Sequence, residues 1–179
     1  MGRFMGANNR DEQAEVFGLL ALEPGEQVLE AGYGPGVLAA MMLAAGATVG
    51  GVDPSREMQA LARRRNERAV AAGTADLRVG TAGDTGFPDA SFDAAVSVNN
   101  VPMWTDLDEG MRELRRVVRP GGRVVVAWHG GAQPRFVARR LVLPGNALDT
   151  ILASMRAAFG SGERYDGQRI VAFQASVRP

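Results

Sequence analysis

Val28-Leu29-Glu30-Ala31-Gly32-Tyr33-Gly34-Pro35-Gly36 is the segment from which the architecture of this chain is read. Apolar residues flanking an acid, followed by alternating glycines, describe a buried strand that ends in a tight loop. Glycine belongs where a backbone takes positive φ or approaches a ligand closely. The next run, Val37-Leu38-Ala39-Ala40-Met41-Met42-Leu43, reads as a helix. Strand, glycine-rich turn and helix form the nucleotide-binding corner of a doubly wound α/β sheet. The dinucleotide fingerprint is G-x-G-x-x-G. Aligned on Gly32 and Gly34, its third glycine falls on Val37, so the fingerprint fails. The spacing is instead G-x-G-x-G, with an acid inside the strand.

Outward from this corner the pattern alternates. A helix is expected around Asn9 to Leu22, ended by Pro24-Gly25 before a strand at Gln27–Ala31. The first crossover helix, Val37–Ala45, stops at Gly46. Thr48–Val52 is a second strand, closed by Asp53. Ser55 caps a helix expected to run to about Ala72, with Gly73 after it. Leu77–Val79 is a short strand, and Phe92–Val98 is an apolar run typical of a buried parallel strand. Leu107, Met111, Leu114 and Val118 give a helix with one apolar face, capped by Thr105 or Asp106. Pro120-Gly121-Gly122 turns the chain into a strand at Arg123–Trp128. Leu148–Phe159 looks helical. Tyr165-Asp166-Gly167-Gln168 resembles a hairpin turn, followed by alternating Val171, Phe173, Ala175 and Val177. The expectation is a doubly wound, mostly parallel sheet between two helical layers, closed by a C-terminal antiparallel hairpin.

At 179 residues, one domain spanning 1–179 is the natural reading. The net charge is zero, so no global field attracts nucleic acid or an anionic membrane. There is no Cys, which excludes disulfides, thiolate nucleophiles and cysteine-based metal sites. One His, His129, argues against a histidine-rich metal centre. All the basic residues are Arg, so lysine Schiff-base and lysine general-base chemistry are excluded. No apolar run suits a membrane span, and Met1-Gly2-Arg3-Phe4-Met5 lacks the apolar stretch of a signal peptide. A cytoplasmic enzyme is expected.

The G-x-G-x-G spacing with Glu30 in the strand resembles motif I of the class I S-adenosylmethionine (SAM) methyltransferases. Three later segments share the resemblance, which runs from Val28 to Trp128. Gly51-Val52-Asp53-Pro54-Ser55 places an acid at the end of the second strand, close to the ~20 residues after the glycine loop expected for a ribose ligand. Phe87-Pro88-Asp89-Ala90-Ser91-Phe92-Asp93 is similar to the stretch before strand four in the ubiquinone/menaquinone-biosynthesis group (methyltransferase type 11). Leu114-Arg115-Arg116-Val117-Val118-Arg119-Pro120-Gly121-Gly122-Arg123 matches that family's motif III. The resemblance implies a Rossmann-like three-layer α/β/α sandwich with a seven-stranded sheet, and SAM as cofactor with S-adenosylhomocysteine (SAH) as product.

It also implies roles. Glu30 would hold the methionine ammonium through water, the Gly32 carbonyl would accept directly from it, and Tyr33, Gly34 and Gly36 would shape the methionine trough. Asp53, followed by Pro54, would accept both hydroxyls of the ribose. Met58 reads as an adenine contact or as plain core. The chain departs from the family at Thr81-Ala82, where members place Asp-Ala. Thr81 offers only a neutral hydroxyl to the adenine amine, Asp84 is an alternative acceptor, and Ala82 N–H can still donate to the ring. Asn99 and Asn100 follow strand four, at the end of the sheet where ligands bind. Asn99 is assigned to the cofactor. Asn100 and Trp104 are assigned to the acceptor, although Trp104 reads equally as a packing residue. Asn99-Asn100-Val101-Pro102 is not the Asn-Pro-Pro-Tyr signature of adenine or glutamine methylation. His129 is the ordinary candidate for a general base; a lone His after a strand is more often a surface or capping residue.

The leading function is therefore in-line methyl transfer to a small molecule, with no nucleic-acid or membrane partner. The alternative is a SAM- or SAH-binding protein of the same fold with little or no transferase activity. An NAD-dependent oxidoreductase shares the sheet but fails at Val37 and lacks a Tyr-x-x-x-Lys. A nucleic-acid methyltransferase is disfavoured by zero net charge. Arg63-Arg64-Arg65 reads as a solvated helix face. The short segments before the first strand and after the fifth leave three ways to cover the site: an open site, a lid from the N-terminal helix, or a second subunit in a homodimer.

Overall fold

The computed structural model describes residues 10–133 and 138–178. The strands are β1 (Gln27–Ala31), β2 (Thr48–Asp53), β3 (Ala75–Val79), β4 (Phe92–Val98), β5 (Val118–His129), β6 (Glu163–Asp166) and β7 (Ile170–Ser176). They form one sheet in the order β3-β2-β1-β4-β5-β7-β6. The first five are parallel, while β7 runs antiparallel to β5 and to β6. The fold is the expected Rossmann-like sandwich with its closing hairpin.

The helices are α1 (Arg10–Leu20), α2 (Val37–Ala44), α3 (Arg56–Arg65), α4 (Glu67–Ala71), α5 (Leu107–Val117) and α6 (Gly145–Phe159). Along β4, Phe92 and Ala95 face one core while Ala94 and Val96 face the other. Ala94, Ala95 and Val96 alternate with the strand period of two, and the irregularity between Phe92 and Ala94 puts Phe92 on the Ala95 side. Val16 and Leu20 of α1 and Leu38 and Met42 of α2 fill one side. Met111 and Leu114 of α5 and Ile151, Met155 and Phe159 of α6 fill the other.

Three elements differ from their sequence expectation. The hairpin turn expected at Tyr165-Asp166-Gly167-Gln168 falls later, because Tyr165 and Asp166 still pair with Ala172 and Val171 in the sheet. The helix expected from Ser55 to Ala72 breaks at Asn66, which is buried and sits at φ −109°. Its Nδ2 donates to the carbonyls of Ala62 (2.9 Å) and Gly36 (3.1 Å), so the break anchors the glycine loop. β5 starts before Pro120-Gly121-Gly122 rather than after it. Val118 pairs with Phe92, the register then shifts, and Arg123 pairs with Ala94.

Chain order reverses between β1 and β4: β2 and β3 lie to one side of β1, β4 and β5 to the other. A crevice opens outside the carboxyl ends of the strands at such a switch point. The glycine loop after β1 and the Asn99-Asn100 segment after β4 meet there.

Candidate active site

The glycine loop is fixed by contacts that its sequence requires. Gly36 sits at φ +73°, and a Cβ there would lie 2.8 Å from both Ala62 Cβ and Asn66 Nδ2. Gly34 also has positive φ, but open space surrounds it. Its N–H donates to Asp53 Oδ2 at 2.9 Å, while Ser55 N–H donates to Asp53 Oδ1 at 2.9 Å. Asp53 thus ties the end of β2 to the loop after β1. Each carboxylate oxygen keeps a lone pair beyond these bonds.

A cavity of about 340 Å³ lies at this end of the sheet, within the ~300–1,000 Å³ usual for small-molecule sites. Among the sequence-assigned residues, Gly32, Asp53, Pro54, Thr81, Ala82, Asn100 and Trp104 line it. Glu30, Tyr33, Gly34, Gly36, Met58, Asn99 and His129 do not. Their placements explain why.

Glu30 is buried behind the loop, with Oε2 left without a partner. Burial raises its carboxyl well above the ordinary range, against the Ala39 N–H that lowers it, and the Asp53 charge adds to the rise. The Tyr33 ring turns away, packs with Ala62 and Leu77, and its hydroxyl donates to Arg78 O at 2.8 Å. Burial, first, and then the Asp53 charge push that phenol well above its usual range. Gly34 and Gly36 act through backbone geometry. Met58 is half-buried on α3, its N–H donating to the capping Ser55 Oγ.

Asn99 holds a left-handed backbone at φ +58°. Its Nδ2 donates to Glu12 Oε2 at 2.7 Å, and its Oδ1 is buried without a partner. His129 Nδ1 lies 3.0 Å from the same Glu12 oxygen. Glu12, only 1% exposed, therefore joins the ends of β4 and β5 from α1. Sequence reasoning missed it, because its partners lie far along the chain. None of the described α1 residues lines the cavity, and Val16 and Leu20 of α1 pack in the core beneath the sheet.

Asn100 is the most heavily bonded polar side chain at the cavity. Its Oδ1 accepts from Ser97 Oγ and from Trp104 Nε1, both at 2.7 Å. Its Nδ2 faces the carbonyls of Ala31 (2.9 Å), Val98 (3.2 Å) and Gly32 (3.3 Å). Trp104 in turn lies on α5 at Gly110, where a Cβ would approach its ring to 2.4 Å.

The far wall is the loop after β3. Thr81 Oγ1 accepts from Asp84 N–H at 3.1 Å, which directs the hydroxyl into its own turn; Asp84 itself does not line the cavity. The loop is pinned by Glu113 of α5, which accepts from Thr85 N–H (3.0 Å), Thr85 Oγ1 (2.6 Å) and Arg116. Burial raises the Glu113 carboxyl, but the Arg116 and Thr85 hydrogen bonds outweigh it and hold it below the ordinary range. Cavity residues that sequence reasoning missed include Val52, Met103, Asp106 and Glu109. The amphipathic face of α5 and the cap at Asp106, whose Oδ1 accepts from Glu109 N–H, were the available signals for the latter two.

The donor set suits SAM. Asp53 offers carboxylate acceptors to a diol, Val52 and Ala82 offer an apolar seat to a flat base, and the Gly32 carbonyl offers an acceptor to an ammonium. Among the described residues no cluster of His, Asp and Glu could hold a metal ion, and no helix is long and apolar enough to cross a membrane.

Fold and site together define a SAM-dependent methyltransferase scaffold. Residues 29–126 match the methyltransferase domain family Methyltransf_11, and the chain belongs to that family of class I SAM-dependent enzymes. It is 31% identical over 136 residues to the methyltransferase YdaC of Bacillus subtilis, covering 75% of this chain and 71% of YdaC. It is 35% identical over 147 residues to the demethylmenaquinone methyltransferase of Tropheryma whipplei, covering 79% of this chain and 59% of that protein. A SAM-dependent methyltransferase structure from Methanococcus maripaludis superposes with a TM-score of 0.80 at 15% identity, covering 99% of this chain and 92% of that one. The chain is thus related to the ubiquinone/menaquinone-biosynthesis group, although it spans little more than half of the menaquinone relative.

Proposed function

We propose that this chain, acting as one domain over residues 1–179, moves a methyl group from SAM to a small apolar acceptor by in-line displacement. The observation that carries the reading is a single cavity lined by Asp53 at one part and by Met103 and Trp104 at another. One part suits a nucleoside diol. The other carries Met103, 71% exposed, and Trp104, with Asp106 and Glu109 also in the lining. The relative named for demethylmenaquinone supports an apolar acceptor.

When bound, SAM supplies a methyl group already activated as a sulfonium. The chain's own task is then placement and the exclusion of water. Asp53 holds the ribose, the Gly32 carbonyl holds the ammonium with Glu30 behind it acting through water, and Ala82 N–H and Thr81 face the base. Asn100 and Trp104 align the acceptor. Proximity and orientation supply ~7–11 kcal/mol in favourable cases. Where the acceptor must lose a proton, no histidine is at hand in the cavity lining, since His129 is held by Glu12 at the end of β5 outside it. Incubation with methyl-labelled SAM and a panel of quinones, phenols and amines tests the reading. Label transfer to one class supports it, and SAH binding with no transfer to any acceptor favours the second reading. That second reading, cofactor binding without transfer, draws on one observation: the Thr81 hydroxyl is engaged by Asp84 N–H.

A further inference from the structure

The Asn100 amide sits in an acceptor cage that does not suit it. Three backbone carbonyls, those of Ala31, Gly32 and Val98, face one nitrogen at 2.9–3.3 Å. A side-chain amide has two hydrogens, whereas a primary ammonium has three and a full positive charge. The cage therefore has one acceptor more than Asn100 can serve, and an ammonium would satisfy all three with stronger, charge-assisted bonds. The approach is close enough that a Cβ on Gly32 would fall 2.1 Å from Asn100 Nδ2.

The other end of the same amide holds the cavity wall. Oδ1 accepts the Trp104 indole N–H at 2.7 Å. No other hydrogen bond can fix that ring, because an indole has one donor. It lies on the bare backbone of Gly110, and both Asn100 and Trp104 line the cavity.

We infer that Asn100 is a positioning residue that occupies an ammonium cage and transmits the cage's occupation by a ligand to Trp104. This rests on the SAM reading above and deepens it. An ammonium entering the cage displaces Nδ2, Asn100 turns, and the indole that borders the acceptor space is re-set. Acceptor binding is thereby made to depend on the amino-acid end of the cofactor. The coupling is reciprocal: an acceptor that holds Trp104 in its re-set position favours the ammonium.

The test uses full-length protein labelled with 5-fluorotryptophan. Its two ¹⁹F resonances belong to Trp104 and Trp128, and Trp104→Phe assigns them. Two ligands are compared at concentrations that saturate in calorimetry: SAH, and its desamino analogue, which lacks only the α-ammonium. SAH is expected to move the Trp104 resonance to a position the desamino analogue does not reach, and to bind roughly 10-fold or more tightly than it. In Asn100→Ala the two ligands are expected to give the same Trp104 resonance. Equal Trp104 responses to both ligands in the wild-type protein overturn the coupling while leaving SAH binding intact. Binding of neither ligand overturns the cofactor reading and this inference with it. The wild-type comparison stands even where Asn100→Ala does not fold.

Discussion

The Asp53 carboxylate accepts the Gly34 N–H at 2.9 Å, joining the end of β2 to the loop after β1. One acid therefore does two things: it fixes the glycine loop and presents its remaining lone pairs to the cavity. Asp53→Asn retains an oxygen for one of the two backbone donors but loses the charge and one acceptor. The fold is expected to survive while SAH affinity falls roughly 10- to 100-fold, the loss of about 1.5–3 kcal/mol from hydrogen bonds to a charged group. Calorimetry on a variant with an unchanged circular dichroism spectrum measures this. Unchanged affinity would remove Asp53 from the site.

Gly34 and Gly36 both take positive φ but differ in what surrounds them. Gly36→Ala adds a left-handed penalty of about 1–2 kcal/mol and overpacking of about 1–3 kcal/mol against Ala62 and Asn66. Gly34→Ala adds only the backbone penalty, because nothing lies within 4 Å of its Cβ position. Urea denaturation is expected to rank wild type above Gly34→Ala and Gly34→Ala above Gly36→Ala. The reverse order of the two variants would mean that the loop is not held against α3.

The buried Glu30 makes a prediction about pH. Its folded carboxyl titrates above the ordinary 4.5, so the folded protein holds this proton more tightly than the unfolded chain does. That contribution to stability is complete below the unfolded value and is lost as pH rises through the raised one. Glu30→Gln removes the titration. The ligand-free variant is expected to be more stable than wild type at pH 8 by about 1–3 kcal/mol, the cost of an unsatisfied buried group. The gap should close toward pH 4. SAH affinity should fall in the same variant, which makes Glu30 a residue kept at the expense of stability. A variant less stable than wild type at pH 8 would contradict this.

Thr81→Asp addresses the departure from the family pattern. An aspartate there retains an oxygen for Asp84 N–H and frees a second, charged acceptor. SAH affinity is expected to rise by up to roughly 10-fold. The gain should vanish for the inosine analogue of SAH, which lacks the exocyclic amine. An equal gain for both ligands would place the base elsewhere.

Much of this architecture was legible because it is local. β1, β2 and β4 are short apolar runs bounded by turn residues, and the glycine spacing placed the crevice. The break at Asn66 was not legible, since asparagine within a helical pattern carries no sign of a carbonyl partner at Gly36, in another element. Glu12 was missed for the same reason: its partners Asn99 and His129 are joined to it only by the sheet. Asn100 was assigned to the acceptor from its place after β4, but its bonds to three carbonyls and to Trp104 depend on tertiary geometry. Chain position indicated which residues come near the cavity. It did not indicate which of them contact it and which support it from behind, as Tyr33, Gly36 and Glu30 do.

The most direct test is titration of wild-type protein with SAH by calorimetry, with NAD as the control. One SAH is expected to bind per chain, in the micromolar range or tighter, with no heat from NAD. NAD binding, or no binding of SAH, would contradict the assignment of this cavity to the cofactor.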